Sequence, residues 1–291
     1  MTSPPRALLI LTILATGSFT GQSQQPTFLG RADAVLVDVS VRMGHKPVEG
    51  LQTQDFDLRA DGVHQSIEAV SAASIPFDVS LVVEASPLVA ERTERLKAAA
   101  REMIAALQDT DRIRLIVCAK SVRQVAPMQP ASAGVSLDDL DTIDLFAQNP
   151  TIRNCLVDAL VWQVDPRRRH FVVAFTTTVD TMSMVSRDAL VPVAEAADAI
   201  LYIAKVPTAL RTLPSDHPLA EIAELTGGEE VTFTDMVKTF RELLADMRQA
   251  YVLGFSPQGV ARQGWHEITI RVVKPGAEKY MVRARKGYFG S

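Results

Sequence analysis

Ser80-Leu81-Val82-Val83-Glu84-Ala85-Ser86-Pro87-Leu88 is the stretch that decides the fold. An apolar run of strand length feeds a short polar turn, and an amphipathic helix follows over 89–107. Leu96, Ala99, Ala100, Met103 and Leu107 share one stripe of that helix, so a single face packs against a sheet. The same alternation continues downstream. Strands are predicted at 79–83, 112–118, 171–175 and 199–204, with a shorter one at 122–126 that pairs with its neighbour. Helices are predicted at 152–161, 187–197, 218–226 and 237–249, and Gly227-Gly228 stops the fourth of the five helices. Short apolar runs alternating with helices read as an α/β domain, a mostly parallel sheet with helices on both faces.

Outward from this centre the pattern changes to pure strand. Val35, Val37, Val39 and Val41 fall on one face, and Leu36, Asp38, Ser40 and Arg42 on the other, a period of two. A second strand at 56–60 runs into Asp61-Gly62, a strong hairpin signal, and a third is predicted at 65–73. After the last helix come strands at 251–255, 266–272 and 280–285. Each all-β end is too short to bury both of its faces alone, so the two are expected to pair with each other. The expected division is 1–23 as a signal peptide, 24–76 as N-terminal β-strands, 77–250 as the α/β domain, and 251–291 as C-terminal β-strands.

The chain has 291 residues and a formal net charge of −4, with charges spread along it. That balance argues against nucleic acid, which needs a basic face. The one basic run, Arg167-Arg168-Arg169, reads as a solvated loop. At the start, Arg6 precedes an apolar run over 7–15, and Gly17, Ser18, Gly21 and Ser23 offer small residues for a peptidase. The run is shorter than the roughly 20 residues a spanning helix needs, so a secretory signal is expected. The mature chain then has no transmembrane segment and is extracytoplasmic, periplasmic or secreted. An oxidising compartment permits a disulfide between Cys118 and Cys155, the only two cysteines. Both fall in buried elements, where free thiols serve as small apolar residues, and free thiols are the expectation.

On these residues the chain resembles the bacterial, Acidobacteria-type von Willebrand factor A-related proteins. Before the centre the resemblance is carried by Val35-Leu36-Val37-Asp38-Val39-Ser40-Val41, Pro47-Val48-Glu49-Gly50-Leu51, Asp55-Phe56 and Asp61-Gly62. After it, Tyr251-Val252-Leu253-Gly254-Phe255-Ser256-Pro257 and Val282-Arg283-Ala284-Arg285-Lys286-Gly287-Tyr288-Phe289 carry it. The resemblance implies a von Willebrand factor A fold, Rossmann-like, flanked by N- and C-terminal strands that form a small β-sandwich. It also implies secreted proteins that bind other proteins.

The resemblance locates a metal-ion-dependent adhesion site and implies that it is degenerate. In such domains the first ligand turn reads Asp-x-Ser-x-Ser, and its three positions fall on Glu84, Ser86 and Leu88. The threonine loop falls on Asn149-Pro150-Thr151. The final aspartate falls within Thr176-Thr177-Thr178, so Thr177 replaces it, and Asp180 three residues later is a poor substitute. Leucine has no lone pair, whereas magnesium requires six oxygens in near-octahedral array. No functional metal and no cofactor are expected. Glu84, Ser86 and Thr151 are the residual candidate ligands.

Two functions from different classes follow. The first is a non-enzymatic, metal-independent module that binds another protein. Its partner docks either at the crevice ringed by Glu84, Ser86, Pro87, Thr151 and Thr177, where open α/β sheets hold ligands, or on another surface such as the β-sandwich. The alternative is an adhesin dependent on Mg2+ or Mn2+, with Glu84 as surrogate ligand. Enzymatic chemistry finds no constellation. The five histidines are scattered, and there is no Cys-x-x-Cys, phosphate loop or Gly-x-Ser-x-Gly. Ser86 next to Pro87 lacks the following amide that an oxyanion hole uses. The acidic run Asp138-Asp139-Leu140-Asp141, with Asp144, lacks the spacing of a calcium loop.

Overall fold

The structure, a computed structural model, describes residues 34–72, 75–86, 93–137, 150–162, 165, 167–177, 180, 182–205, 218–232 and 235–290. The expected leader over 1–23, Pro87, Leu88 and the acidic run at 138–144 lie outside these residues. Among the described residues no helix is long and apolar enough to cross a membrane.

In chain order the strands before the centre are β1 (Val35–Met43), β2 (Lys46–Pro47), β3 (Phe56–Ala60), β4 (Val63–Gln65) and β5 (Ile67–Ala72). The centre runs β6 (Phe77–Glu84), α1 (Thr93–Ala105), β7 (Arg112–Cys118), β8 (Val122–Pro130), α2 (Ile152–Leu160) and β9 (Arg169–Thr176). It continues with α3 (Arg187–Ala196), β10 (Ala199–Lys205), α4 (Pro218–Leu225), β11 (Glu229–Thr232) and α5 (Met236–Gln249). The chain closes with β12 (Tyr251–Phe255), β13 (Gly264–Val272), β14 (Met281–Ala284) and β15 (Gly287–Gly290).

The central sheet has the order β11-β10-β9-β6-β7-β8. Its strands are parallel apart from β8, which returns antiparallel to β7. Alternation of side chains gives the inner strands β6, β7, β9 and β10 two buried faces, while the edge strands β8 and β11 are largely open. Phe77, Val79, Leu81 and Val83 of β6 pack with Leu96 and Met103 of α1 and with Phe240 and Leu243 of α5. On the other face Val82, Ile116 and Val172 meet Ile152 and Leu156 of α2, Leu190 of α3 and Ile222 of α4. Gly228, just past α4, sits against β10, where a Cβ would overlap the Leu201 carbonyl. A close approach, not turn geometry alone, requires that glycine.

The outer strands make two antiparallel sheets, β14-β1-β12-β5 with β2 beside β1, and β15-β13-β3-β4. The pairing joins the two ends of the chain: β1 lies between β12 and β14, and β3 pairs with β13. Val37, Val39, Leu58, Leu253, Phe255 and Ile268 share one core between these sheets. Asp61 (φ 48°) and Gly62 (φ 78°) turn β3 into β4 in the left-handed region that a tight hairpin needs.

A buried polar knot ties these strands to the centre. Asp246 of α5 accepts from Ser40 Oγ at 2.6 Å, Arg42 Nε at 2.8 Å and Tyr202 OH at 3.0 Å, and it pairs with Arg283. Burial pushes the Asp246 carboxyl up, but Arg283, Ser40 and Arg42 outweigh it and hold it below the usual carboxylate range.

Three expectations need correction. The single strand predicted at 65–73 is two, β4 and β5, in different sheets. Arg167-Arg168-Arg169 is not a solvated loop throughout. Arg167 is exposed, but Arg168 pairs with the buried Asp78, and Arg169 opens β9 with its side chain inside, paired with Asp38. The cysteines are bonded, not free: Cys118 and Cys155 form a disulfide with a Cα–Cα separation of 6.0 Å. Cys118 points to the sheet face that α2 covers, and Cys155 lies on the covering side of α2 beside Ile152 and Leu156. Closing that loop of 37 residues stabilises by about 3–4 kcal/mol on the chain-entropy model.

Candidate functional site

Glu84 is the last residue of β6, in register with Cys118 on β7. Thr176 ends β9, the strand on the other side of β6. The Glu84 side chain has no solvent exposure, so its oxygens must find donors inside the protein. Thr176 Oγ1 donates to Oε2 at 2.5 Å, the Thr177 amide donates to Oε2 at 2.6 Å, and Thr177 Oγ1 donates to Oε1 at 2.7 Å. Short bonds of this kind to an acidic side chain are among the stronger ones in a protein. They also stitch the C-terminal ends of β6 and β9 together.

The other expected site residues behave alike. Thr151, the residue before α2, donates its hydroxyl to the Ala119 carbonyl at 3.0 Å, and its amide goes to the same oxygen. Its side chain makes no bond to the helix it precedes. Ser86, Thr151 and Thr177 are all buried. The structure brings Glu84 and Thr177 into direct contact and gives Thr151 a different partner.

Asp180 supplies what Thr151 does not. Its Oδ2 accepts from the Arg153 amide at 2.7 Å and from Ser183 Oγ at 2.6 Å, while Oδ1 accepts from the Ser183 amide at 3.0 Å. Ser183 Oγ in turn accepts from the Asn154 amide at 3.2 Å. Two orphan donors in the first turn of α2 are thus satisfied from a neighbouring loop, with a carboxylate at the positive end of the helix. At the other end of α2 the fully buried Arg114 donates to the carbonyls of Asp158 and Ala159 at 3.1 and 3.2 Å, and to Ser80 Oγ at 2.7 Å. The Arg114 guanidinium lies 4.2 Å from the centroid of Trp162. Burial pulls the Arg114 pKa down, against the opposing pull of Asp158.

These donors do not fit a divalent cation. The Glu84 oxygens face three hydrogen-bond donors, the Thr151 hydroxyl points at a carbonyl, and Asp180 caps a helix. Among the described residues no three His, Cys, Asp or Glu side chains converge into a metal cluster. Among the residues exposed at this end are two methionines of the loop after β9. Met182 and Met184 are 56% and 95% exposed. Asp180 and Ser183 hold their loop from one side. From the other, Arg153 Nε reaches the Val185 carbonyl at 2.7 Å and the Val185 amide reaches Asn154 Oδ1 at 3.2 Å.

No protein-family model matches the chain, and no curated protein matches it. Among solved structures, a von Willebrand factor type A protein from Catenulispora acidiphila is similar with a TM-score of 0.51 at 12% identity. The match covers 90% of this chain and 75% of that one. The fold is von Willebrand factor A-like. BatB from Bacteroides thetaiotaomicron (TM-score 0.45, 12% identity, 60% of this chain and 100% of that one) and the SpRpn10 VWA domain (0.41, 12%, 57% and 94%) are more distant likenesses.

Several residues that build this end, Thr176, Arg153, Asn154 and Ser183, were not singled out from sequence, nor was Arg114 at the other end of α2. Thr176 carried a usable signal, because its parity in β9 places it on the same face and at the same sheet end as Glu84. Arg114, a lone cation inside an apolar strand, carried one too.

Proposed function

We propose that the chain is an extracytoplasmic, non-enzymatic module that binds another protein without a metal ion. In this reading 77–250 form a Rossmann-like von Willebrand factor A domain, and 24–76 and 251–291 pair into a small β-sandwich. The observation that carries it is the bonding of Glu84. The position that should offer a charged ligand is closed inward onto Thr176 and Thr177, so the C-terminal edge of the sheet has no outward carboxylate among its described candidates. Glu84, Ser86, Thr151 and Thr177 then form the floor of the docking face, and Pro87 belongs to the same turn. The contact surface is the loop above, where Met182 and Met184 stand out from a bonded frame. Methionine is soft and adaptable, and suits a protein contact. The Cys118–Cys155 bridge supports placement in an oxidising compartment.

The test is capture of the partner from the native envelope fraction, with and without chelator, using the natural chain and Met184→Glu. The expected result is one partner retained in chelator and lost with Met184→Glu. Capture that chelator abolishes would refute the reading and favour the Mg2+- or Mn2+-dependent adhesin.

A further inference from the structure

Alternation along the flanking strands leaves three large apolar side chains with no core to enter. Val272 and Val282 pack against the core between the flanking sheets, so their neighbours Val273 and Met281 face away from it. Both are 58% exposed, and Met43, the last residue of β1, is 52% exposed. All three stand at one end of these sheets. Met43 is in register with Lys46 across the β1–β2 turn, and Met281, at the start of β14, is in register with Arg42. The Val273 amide donates to the Asp55 carbonyl at 2.8 Å, where β3 begins.

Cations surround them. Lys46, Lys274 and Lys279 are exposed. Lys97, Lys205 and Lys238 each pair with a glutamate, but these three have no ion-pair partner among the described residues. Glu278 is the only acid in 273–281, and the nearby Asp55 carboxylate accepts from the Gln52 amide at 2.8 Å. The connection that carries Lys274 and Lys279 is internally bonded. The Ala277 amide donates to the Lys274 carbonyl at 3.0 Å, and the Tyr280 amide to the Ala277 carbonyl at 2.9 Å.

We propose that this end of the flanking sheets docks on an anionic lipid surface. Met43, Val273 and Met281 enter the boundary between headgroups and acyl chains, and Lys46, Lys274 and Lys279 meet the lipid phosphates. Such peripheral binding sums buried apolar area and attraction to anionic lipid. Lysine suits it, because its stem lies along apolar surface while the ammonium stays at the phosphates. Methionine serves either a membrane or a protein contact. Protein interfaces, however, favour arginine and aromatic side chains over lysine, and the apolar residues exposed here are not aromatic. This surface shares no residue with the loop of Met182 and Met184, so the two contacts stand or fall separately.

Covalent footprinting of the full natural chain tests this with vesicles of phosphatidylcholine alone and of phosphatidylcholine and phosphatidylglycerol mixed about two to one. Amine acetylation and methionine oxidation are read residue by residue by mass spectrometry, which separates this patch from any contact made elsewhere on the chain. With the anionic vesicles, Lys46, Lys274, Lys279, Met43 and Met281 should react at least about fivefold more slowly. The exposed Lys120 and Met184 should keep their rates. Neutral vesicles should protect none of them, and Lys274→Glu with Lys279→Glu should abolish the protection. Unchanged rates at Met43 and Met281, equal protection by neutral vesicles, or protection shared equally by Lys120 and Met184 overturns the proposal. Soluble polyglutamate that shields the lysines as well as the vesicles do, with both methionines still oxidised, would also overturn it and assign the patch to an acidic protein.

Discussion

The two ends of the central sheet handle buried polarity in opposite ways. At the C-terminal end every described polar candidate has closed onto a neighbour: Glu84 onto two threonines, Thr151 onto a carbonyl, Asp180 onto a helix start. At the N-terminal end charges accumulate. Asp78, fully buried, takes Arg112 at 2.8 Å and Arg168 at 2.5 Å, with His170 at 3.4 Å, and Asp111 pairs with Arg248 nearby. Open α/β sheets hold their ligands at the C-terminal end, so the charged end here is the unexpected one. The difference teaches that one sheet can settle its buried polar groups by neutral donors at one end and by ion pairs at the other. Meanwhile the end that docks on the flanking sheets gathers ion pairs, Arg168 with Asp78 and Arg169 with Asp38.

Disturbing the charged end should cost most. Asp78→Ala strips the shared buried partner from the part-buried Arg112 and Arg168 and should lower stability by about 3–5 kcal/mol in urea unfolding. A loss below about 1 kcal/mol would mean that the network is solvated and the contrast is false. Removing the bridge with Cys118→Ser and Cys155→Ser should lower stability by about 3–4 kcal/mol. A much smaller loss would leave the docking of α2 to Asp180 and Arg114. At the quiet end, Glu84→Gln keeps the shape but turns an amide donor toward the threonine donors, for a loss of about 1–2 kcal/mol.

Acidification should separate the two ends by a sign that can be worked out. The His170 pKa is lowered from 6.5, first by burial and then by Arg112 and Arg168, against Asp78. Burial raises the Asp78 carboxyl, but Arg112, Arg168 and His170 outweigh it and lower it from 3.8. A depressed pKa gives stability that is full above the unfolded value and is lost as pH falls through the folded one. Stability should therefore decline first below 6.5 and again below 3.8, and His170→Gln should remove the first stage alone. The smallest effect belongs to Met184→Glu, within about 0.5 kcal/mol in stability while partner capture is lost. A large stability change there would make the loop part of the core.

Much of this was legible. Period two at Val35–Val41 and the apolar runs at 79–83 and 171–175 announced strands, and β1 does pair with β12 and β14 as the short end segments required. The candidate site was legible as a place, because the turn after Val83 fixes the sheet end. Its chemistry was not, since which donors meet Glu84 depends on β9 lying next to β6, and order in a parallel sheet is not written in any one strand. The disulfide failed for a related reason. Cys118 shares parity with Ile116, and Cys155 shares the stripe of Ile152 and Leu156, so the bridge becomes visible only once α2 is laid over that face. Arg168 and Arg169 looked like a solvated run because their partners, Asp78 and Asp38, are 90 or more positions away.

Calorimetric titration of the natural chain and of Glu84→Gln with Mg2+ and Mn2+ tests the inward closure of Glu84 most directly. The account predicts no saturable heat from either cation in either protein. Saturable heat in the natural chain that Glu84→Gln abolishes would contradict it.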